Sequence, residues 1–228
     1  MTTAPAGTRG VLFDLDGTLL DTAPDMGAAL NILRREEERE PLALESIRPH
    51  VSHGSTAMIR LSFPEVAAGP EFEVLRRRFL DIYGDNLAIE TRLYAGLEGA
   101  LQRLEASGIA WGVVTNKPGW LAEPLLERLH LRQRAAVVIS GDTLKARKPD
   151  PAPLLYAAER LGLAPAQCIY IGDAERDVLA ARAAGMPVYV ALFGYIPALE
   201  RPREWPANGW LDTSRAVAEL LDGLSRPA

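Results

Sequence analysis

The chain is 228 residues long, 48% hydrophobic, and carries a formal net charge of -5. That is enough apolar material for a substantial core, as one domain or one domain with a modest insertion. The acidic balance gives no support to nucleic-acid binding, and the longest apolar stretch, 187–199, is broken by Gly194 and Pro197 and too short to span a bilayer. A single cysteine, Cys168, allows no intrachain disulfide, and residues 1–10 lack the apolar core of a secretion signal, so a cytoplasmic location is expected. In chain order, an apolar strand is expected over 10–15. Between 21 and 93 the pattern is helical only, over 24–37, 44–48, 55–62 and 71–86, with no convincing strand. The run Arg76-Arg77-Arg78 reads as a solvated helix face. Strands over 109–115, 136–140, 168–172 and 187–191 then alternate with helices over 97–107, 120–129, 153–161 and 176–184. Gly108, Gly162 and Gly185 fall where helices should stop. A proline-rich loop, 197–209, precedes a last helix over 213–224. Such alternation implies an α/β fold, a doubly wound parallel sheet covered on both faces. The helical stretch is an insertion into it, hinged at 19–24 and 88–96. The expected division is a Rossmann-like core of residues 1–20 and 94–228 and a helical cap of residues 21–93.

The chemistry gathers at strand ends. Val11-Leu12-Phe13 runs into Asp14-Leu15-Asp16-Gly17-Thr18. Carboxylates there cannot be left unpaired in a core, so a cation or a dense set of hydrogen bonds must hold them. A solvated acidic turn is the plain alternative. Three later segments share the character: Val113-Val114-Thr115-Asn116, Arg147-Lys148-Pro149-Asp150-Pro151, and Ile169-Tyr170-Ile171-Gly172-Asp173-Ala174-Glu175-Arg176-Asp177. Taken alone, Thr115 reads as a β-branched strand residue, Lys148 as a surface charge with a proline-constrained backbone, and Asp173 as an N-cap of the 176–184 helix.

In order and spacing these segments resemble the four motifs of the haloacid dehalogenase-like hydrolases, over nearly the whole chain. The resemblance implies a phosphomonoester hydrolase working through an aspartyl-phosphate. Asp14 would be the nucleophile and Asp16 the general acid and then base. Thr115 and Asn116 would bind the phosphoryl oxygens, and Lys148 would neutralise them and orient Asp14. The implied cofactor is Mg²⁺, held by Asp14, the backbone carbonyl of Asp16, and Asp173, with Asp177 ligating directly or through water. The helical insertion matches the cap of the family's phosphoglycolate phosphatase-like branch. Residues 111–118, 122–124 and Gly194-Tyr195-Ile196 look closer to bacterial enzymes that remove the 6-phosphate of N-acetylmuramic acid, so that substrate is expected first and 2-phosphoglycolate second. A sugar phosphomutase and a catalytically silent binding module are the remaining alternatives. A phosphonatase would need a cap lysine, and residues 21–93 contain none.

The insertion offers His50-Val51-Ser52-His53-Gly54-Ser55 before a helix. Its N-terminus could hold an anionic group, with His50, His53, Gly54 and Ser55 touching the substrate, or the segment could be a surface loop. His130, Trp120 and Trp210 read as structural. The expected partner is a small phosphorylated metabolite, with no nucleic acid or membrane, for a monomer or homodimer.

Overall fold

The structure, a computed structural model, describes residues 3–66 and 68–224. The first strand, β1 (Gly10–Phe13), is followed by β2 (Leu20–Asp21) and four helices, α1 (Ala23–Glu36), α2 (Leu44–Ile47), α3 (Gly54–Ser62) and α4 (Pro70–Asp85). The chain returns through β3 (Arg92–Leu93) to α5 (Leu97–Ala106), β4 (Ala110–Val114), α6 (Gly119–Arg128) and β5 (Val137–Ile139). It continues through α7 (Ala152–Arg160), β6 (Cys168–Gly172), α8 (Glu175–Ala183), β7 (Val188–Ala191), β8 (Gly209–Leu211) and α9 (Ser214–Leu224).

Six strands form one parallel sheet in the order β5-β4-β1-β6-β7-β8. Period-two alternation divides its side chains between two cores. Val11, Phe13, Trp111, Val113, Ile169 and Ile171 face α5, α6 and α9. Leu12, Tyr170, Val188 and Val190 face α7 and α8. The sheet is therefore doubly wound, as its near-continuous apolar strands require. The chain leaves β1 in one direction toward β4 and β5, then crosses back to β6 on the other side. Its switch point lies at the carboxyl end of β1, the position that places a ligand crevice in open α/β sheets.

The strand and helix cores match the sequence expectation to within a residue or two, and Gly108, Gly162 and Gly185 each end a helix with φ of 69°. Two expectations need correction. The segment flanking the insertion is not free of strands: Leu20–Asp21 and Arg92–Leu93 pair antiparallel, Leu20 opposite Leu93. Two residues are too few for a readable alternation. The expected tail lacked a sixth strand, yet Gly209–Leu211 pairs with β7 after the proline-rich loop.

Between β2 and β3, α1 packs along α4, with Met26, Leu30 and Leu33 buried on one and Phe72, Leu75, Phe79 and Tyr83 on the other. The two chain crossings are tied together by Asp25. Its carboxylate accepts the backbone N–H groups of Ile89 (3.1 Å), Glu90 (2.7 Å) and Thr91 (3.1 Å) and the Thr91 hydroxyl (2.6 Å). Among the described residues no helix is long and apolar enough to cross a membrane.

Candidate active site

Parallel pairing puts Phe13 beside Val113 and Ile171, so Asp14 emerges one residue past the edge of the sheet. Its backbone N–H donates to Ile171 (2.8 Å), and its Oδ1 accepts the N–H of Leu15 (2.8 Å). Asp14 is only 3% exposed. The same edge carries Thr115 at the end of β4, and Asp173 and Asp177 after β6. Carboxylate oxygens of Asp14, Asp173 and Asp177 lie within 4.8 Å of one another.

Lys148 enters this cluster fully buried, its Nζ 3.0 Å from Asp14 Oδ1 and 2.7 Å from Asp177 Oδ1. Its third donor goes to the Tyr170 hydroxyl (2.7 Å), which itself donates to the Val114 carbonyl (2.7 Å). Burial opposes the charge on Asp14, but Lys148 and Arg176 together hold its pKa below the ordinary carboxylate value. Asp173 goes the other way. Burial, and then the charges of Asp14 and Asp177, push it up to about 7. Asp177 is also raised, burial outweighing the attraction of Lys148.

The residues fit a hard cation. Three buried carboxylates face one another around a single lysine, and Asp173 Oδ1 is buried with no hydrogen-bond partner. An unshared anionic oxygen of this kind is costly unless a cation takes it. The all-oxygen donor set is that of Mg²⁺-type ions rather than softer metals.

Asp173 is not the N-cap of α8. Its Oδ2 accepts the Ser52 hydroxyl (2.7 Å) and the Tyr195 N–H (2.8 Å), while the cap role passes to Asp177, whose Oδ2 accepts the Ala174 N–H (3.0 Å). Backbone crowding fixes this corner. A Cβ on Gly17 would sit 2.2 Å from Asp173 Oδ2, and one on Gly194 would sit 2.3 Å from Asp173 Cβ. Gly17 also needs its φ of 78°.

Asp16, two residues on, stands apart from the metal cluster by its side chain. Its Oδ1 accepts the Thr22 hydroxyl (2.7 Å) and Lys117 Nζ (3.0 Å). Lys117 is buried, with Nζ 4.5 Å from the ring centre of Tyr83 on α4. Burial lowers its pKa, but Asp16 and Tyr83 outweigh that and keep it firmly protonated.

A cavity of about 380 Å³ lies over these groups. Asp14, Asp16, Thr115, Asn116 and Lys117 form its floor, and Ser52, His53, Gly54, Ser55 and Tyr83 of the insertion face them. Lys148 lies beneath it. Most expected site residues are thus brought together. Asn116 lines the cavity, but its carboxamide is engaged by the backbone of Lys148, Oδ1 accepting the N–H (3.1 Å) and Nδ2 donating to the carbonyl (2.9 Å). These two bonds brace the backbone of Lys148. His53 pairs with Glu200 (3.2 Å) at the rim. His50 lies outside the cavity, in a shallow depression with Arg60. Arg76, expected as a solvated charge, is part-exposed as expected and also lines the cavity wall.

Sequence reasoning missed Ser52, Lys117 and Arg176. Arg176 donates to the Ser52 carbonyl (2.8 Å) and stands 3.9 Å from Asp14 Oδ2. Each was adjacent to a residue already singled out. For Lys117 and Arg176 nearness to a strand end was the available signal, and for Ser52 its place in the loop before α3; the tertiary partners were not legible.

A buried strand-end aspartate, a strand-end threonine, a buried lysine and a metal-fit acidic corner on one doubly wound sheet define a hydrolase of the haloacid dehalogenase type. The family model of the haloacid dehalogenase-like hydrolases matches residues 11–191, and the chain belongs to that family. It is 50% identical to a phosphoglycolate phosphatase of Xanthomonas campestris, over 88% of this chain and 90% of that one. It is 40% identical to an N-acetylmuramic acid 6-phosphate phosphatase of Pseudomonas aeruginosa, over 94% and 95%. The crystal structure of a predicted phosphoglycolate phosphatase from Haemophilus somnus superposes with a TM-score of 0.83 at 26% identity, covering 95% of this chain and 99% of that chain. By fold, site and kinship the protein is a phosphatase of this family.

Proposed function

We propose that the protein hydrolyses the phosphate monoester of a small metabolite, with Mg²⁺ as cofactor and Asp14 as nucleophile. The observation that carries this reading is the buried carboxylate of Asp14, kept ionised by Lys148 and opening onto a cavity lined by Thr115. An Asp14 oxygen attacks phosphorus as the ester P–O bond breaks, and Asp16 gives its proton to the leaving alkoxide. Water then attacks phosphorus of the aspartyl-phosphate, Asp16 takes its proton, and inorganic phosphate leaves with Asp14 restored. The Lys117 and Thr22 contacts hold the Asp16 carboxyl in place for both proton transfers. Thr115 and Lys148 counter phosphoryl charge through positioning and electrostatics, the main levers of phosphoryl transfer. The ion, held by Asp14, Asp173 and Asp177 with the Asp16 carbonyl, would supply further charge neutralisation.

Residues 21–93 act in this reading as a cap over the core of residues 1–20 and 94–228, placing Ser52, His53, Gly54 and Ser55 against the substrate. The cavity volume of about 380 Å³, within the roughly 300–1,000 Å³ of small-molecule sites, leaves room for a sugar-sized substrate. N-Acetylmuramic acid 6-phosphate is therefore the first substrate proposed. The 50% identity to a protein named phosphoglycolate phosphatase supports 2-phosphoglycolate as the second. Phosphate release from both, with Mg²⁺ and with EDTA, tests the reading. Mg²⁺-dependent release that Asp14→Asn abolishes is expected. Release that persists in Asp14→Asn would refute the mechanism.

A further inference from the structure

Two arginines line the cavity without a task in the chemistry above, Arg76 on α4 and Arg147 on the loop before Lys148. The acids of the cavity floor already have countercharges: Asp16 pairs with Lys117 and Asp14 with Lys148. Arg176 is committed to the Ser52 carbonyl. Arg147 is exposed, and among the described residues its guanidinium has no hydrogen-bond or ion-pair partner. Among the described residues Arg76 bonds only to Glu73 (2.7 Å), one turn back, with side chains 35% and 55% exposed. An exposed pair of this kind is weak and yields to a better acceptor.

Their placement along the cavity follows from helix geometry. Arg76, Leu80 and Tyr83 lie at i, i+4 and i+7 on α4, one face, and all three line the cavity. Tyr83 is fully buried at the inner end, over the lysine that holds Asp16. Leu80 is half-buried, and Arg76 reaches solvent. Seven residues of helix advance about 10 Å, so Arg76 lies about that far along α4 from Tyr83, whose ring covers the lysine that holds Asp16. The lining mixes apolar Met26, Leu80 and Leu121 with polar Ser55 and Thr56, a surface suited to the body of a sugar.

We propose that Arg76 and Arg147 form a subsite for a carboxylate carried about a sugar ring's length from the phosphate, selecting phosphorylated sugar acids over neutral sugar phosphates. Guanidinium forks match carboxylates bidentately. The subsite rests on the phosphatase reading and assigns the part of the substrate that reading leaves open.

The test compares N-acetylmuramic acid 6-phosphate with N-acetylglucosamine 6-phosphate, which differ only in the lactyl ether bearing the carboxylate. The ratio of their kcat/KM values is measured for wild type, Arg76→Ala, Arg147→Ala and Arg147→Lys, with thermal melting as a fold control. Wild type should prefer the acidic sugar, and each alanine variant should lower the ratio about tenfold or more, chiefly through KM. Arg147→Lys should recover part of it, because charge returns without the fork. No wild-type preference, or a ratio unchanged in both alanine variants, would overturn the subsite while turnover of the neutral sugar left the phosphatase reading standing. Wild type acting on 2-phosphoglycolate and neither sugar would also remove the subsite alone. No release from any phosphomonoester would remove both.

Discussion

Lys148 and Asp14 are not equivalent members of their ion pair. Among the described residues Lys148 is the one cation that pairs with both Asp14 and Asp177, so removing it leaves clustered buried carboxylates facing one another. Lys148→Met is expected to destabilise the metal-free protein by about 3–5 kcal/mol, read by urea denaturation. Asp14→Asn relieves like-charge crowding and should cost much less, while abolishing turnover. Equal losses in the two variants would mean the cluster is not arranged as described. Both residues were singled out from recognisable strings, Asp14 at the end of β1 and Lys148 before a proline in the loop leading to α7. Ser52 and Lys117 were not, because a serine or lysine in a polar loop has no local signature of burial. Asn116 was legible as a site residue but not as the brace of Lys148, since only folding brings the two loops together.

At the scale of elements, the insertion is held by its own crossings. The Asp25 carboxylate accepts four donors from residues 89–91, and Asp25→Ala would orphan buried N–H groups there. A loss of about 2–4 kcal/mol is expected in denaturant titration, with hydrogen exchange rising first in residues 88–93. The Gly194 loop gives a second case. Its added Cβ would also fall 2.7 Å from the Gly17 carbonyl, so Gly194→Ala must displace the Asp173 corner. Weaker Mg²⁺ binding by calorimetry, with a fold loss of only about 1–3 kcal/mol, is the expected result. Metal affinity equal to wild type would show that the loop can give. Strands with continuous apolar runs and glycine-stopped helices were readable from the chain. The two-residue hinge ladder and β8 were not, because so few residues carry no period and are defined by their partners.

For the molecule as a whole, folding and metal binding should be coupled, since the acidic corner exists only when β1, β6 and the loop at Tyr195 are assembled. Mg²⁺ at a hundred times its Kd is expected to add about 2.7 kcal/mol, or roughly 5–10 °C in melting temperature, with EDTA reversing it. A melting temperature indifferent to both would argue against a cation at Asp14, Asp173 and Asp177. The order of strands and helices, the helical insertion and the strand-end acids were determined by the sequence itself. Periodicity and turn residues are local, and an apolar strand ending in aspartates has few ways to be folded. What only the tertiary structure decided is which charges meet. Arg76 leaves its basic run to face the cavity, Lys117 takes Asp16, and Ser52 reaches Asp173 from the insertion. Those pairings depend on distances between segments far apart in the chain, and such distances are set by packing rather than by neighbours in sequence.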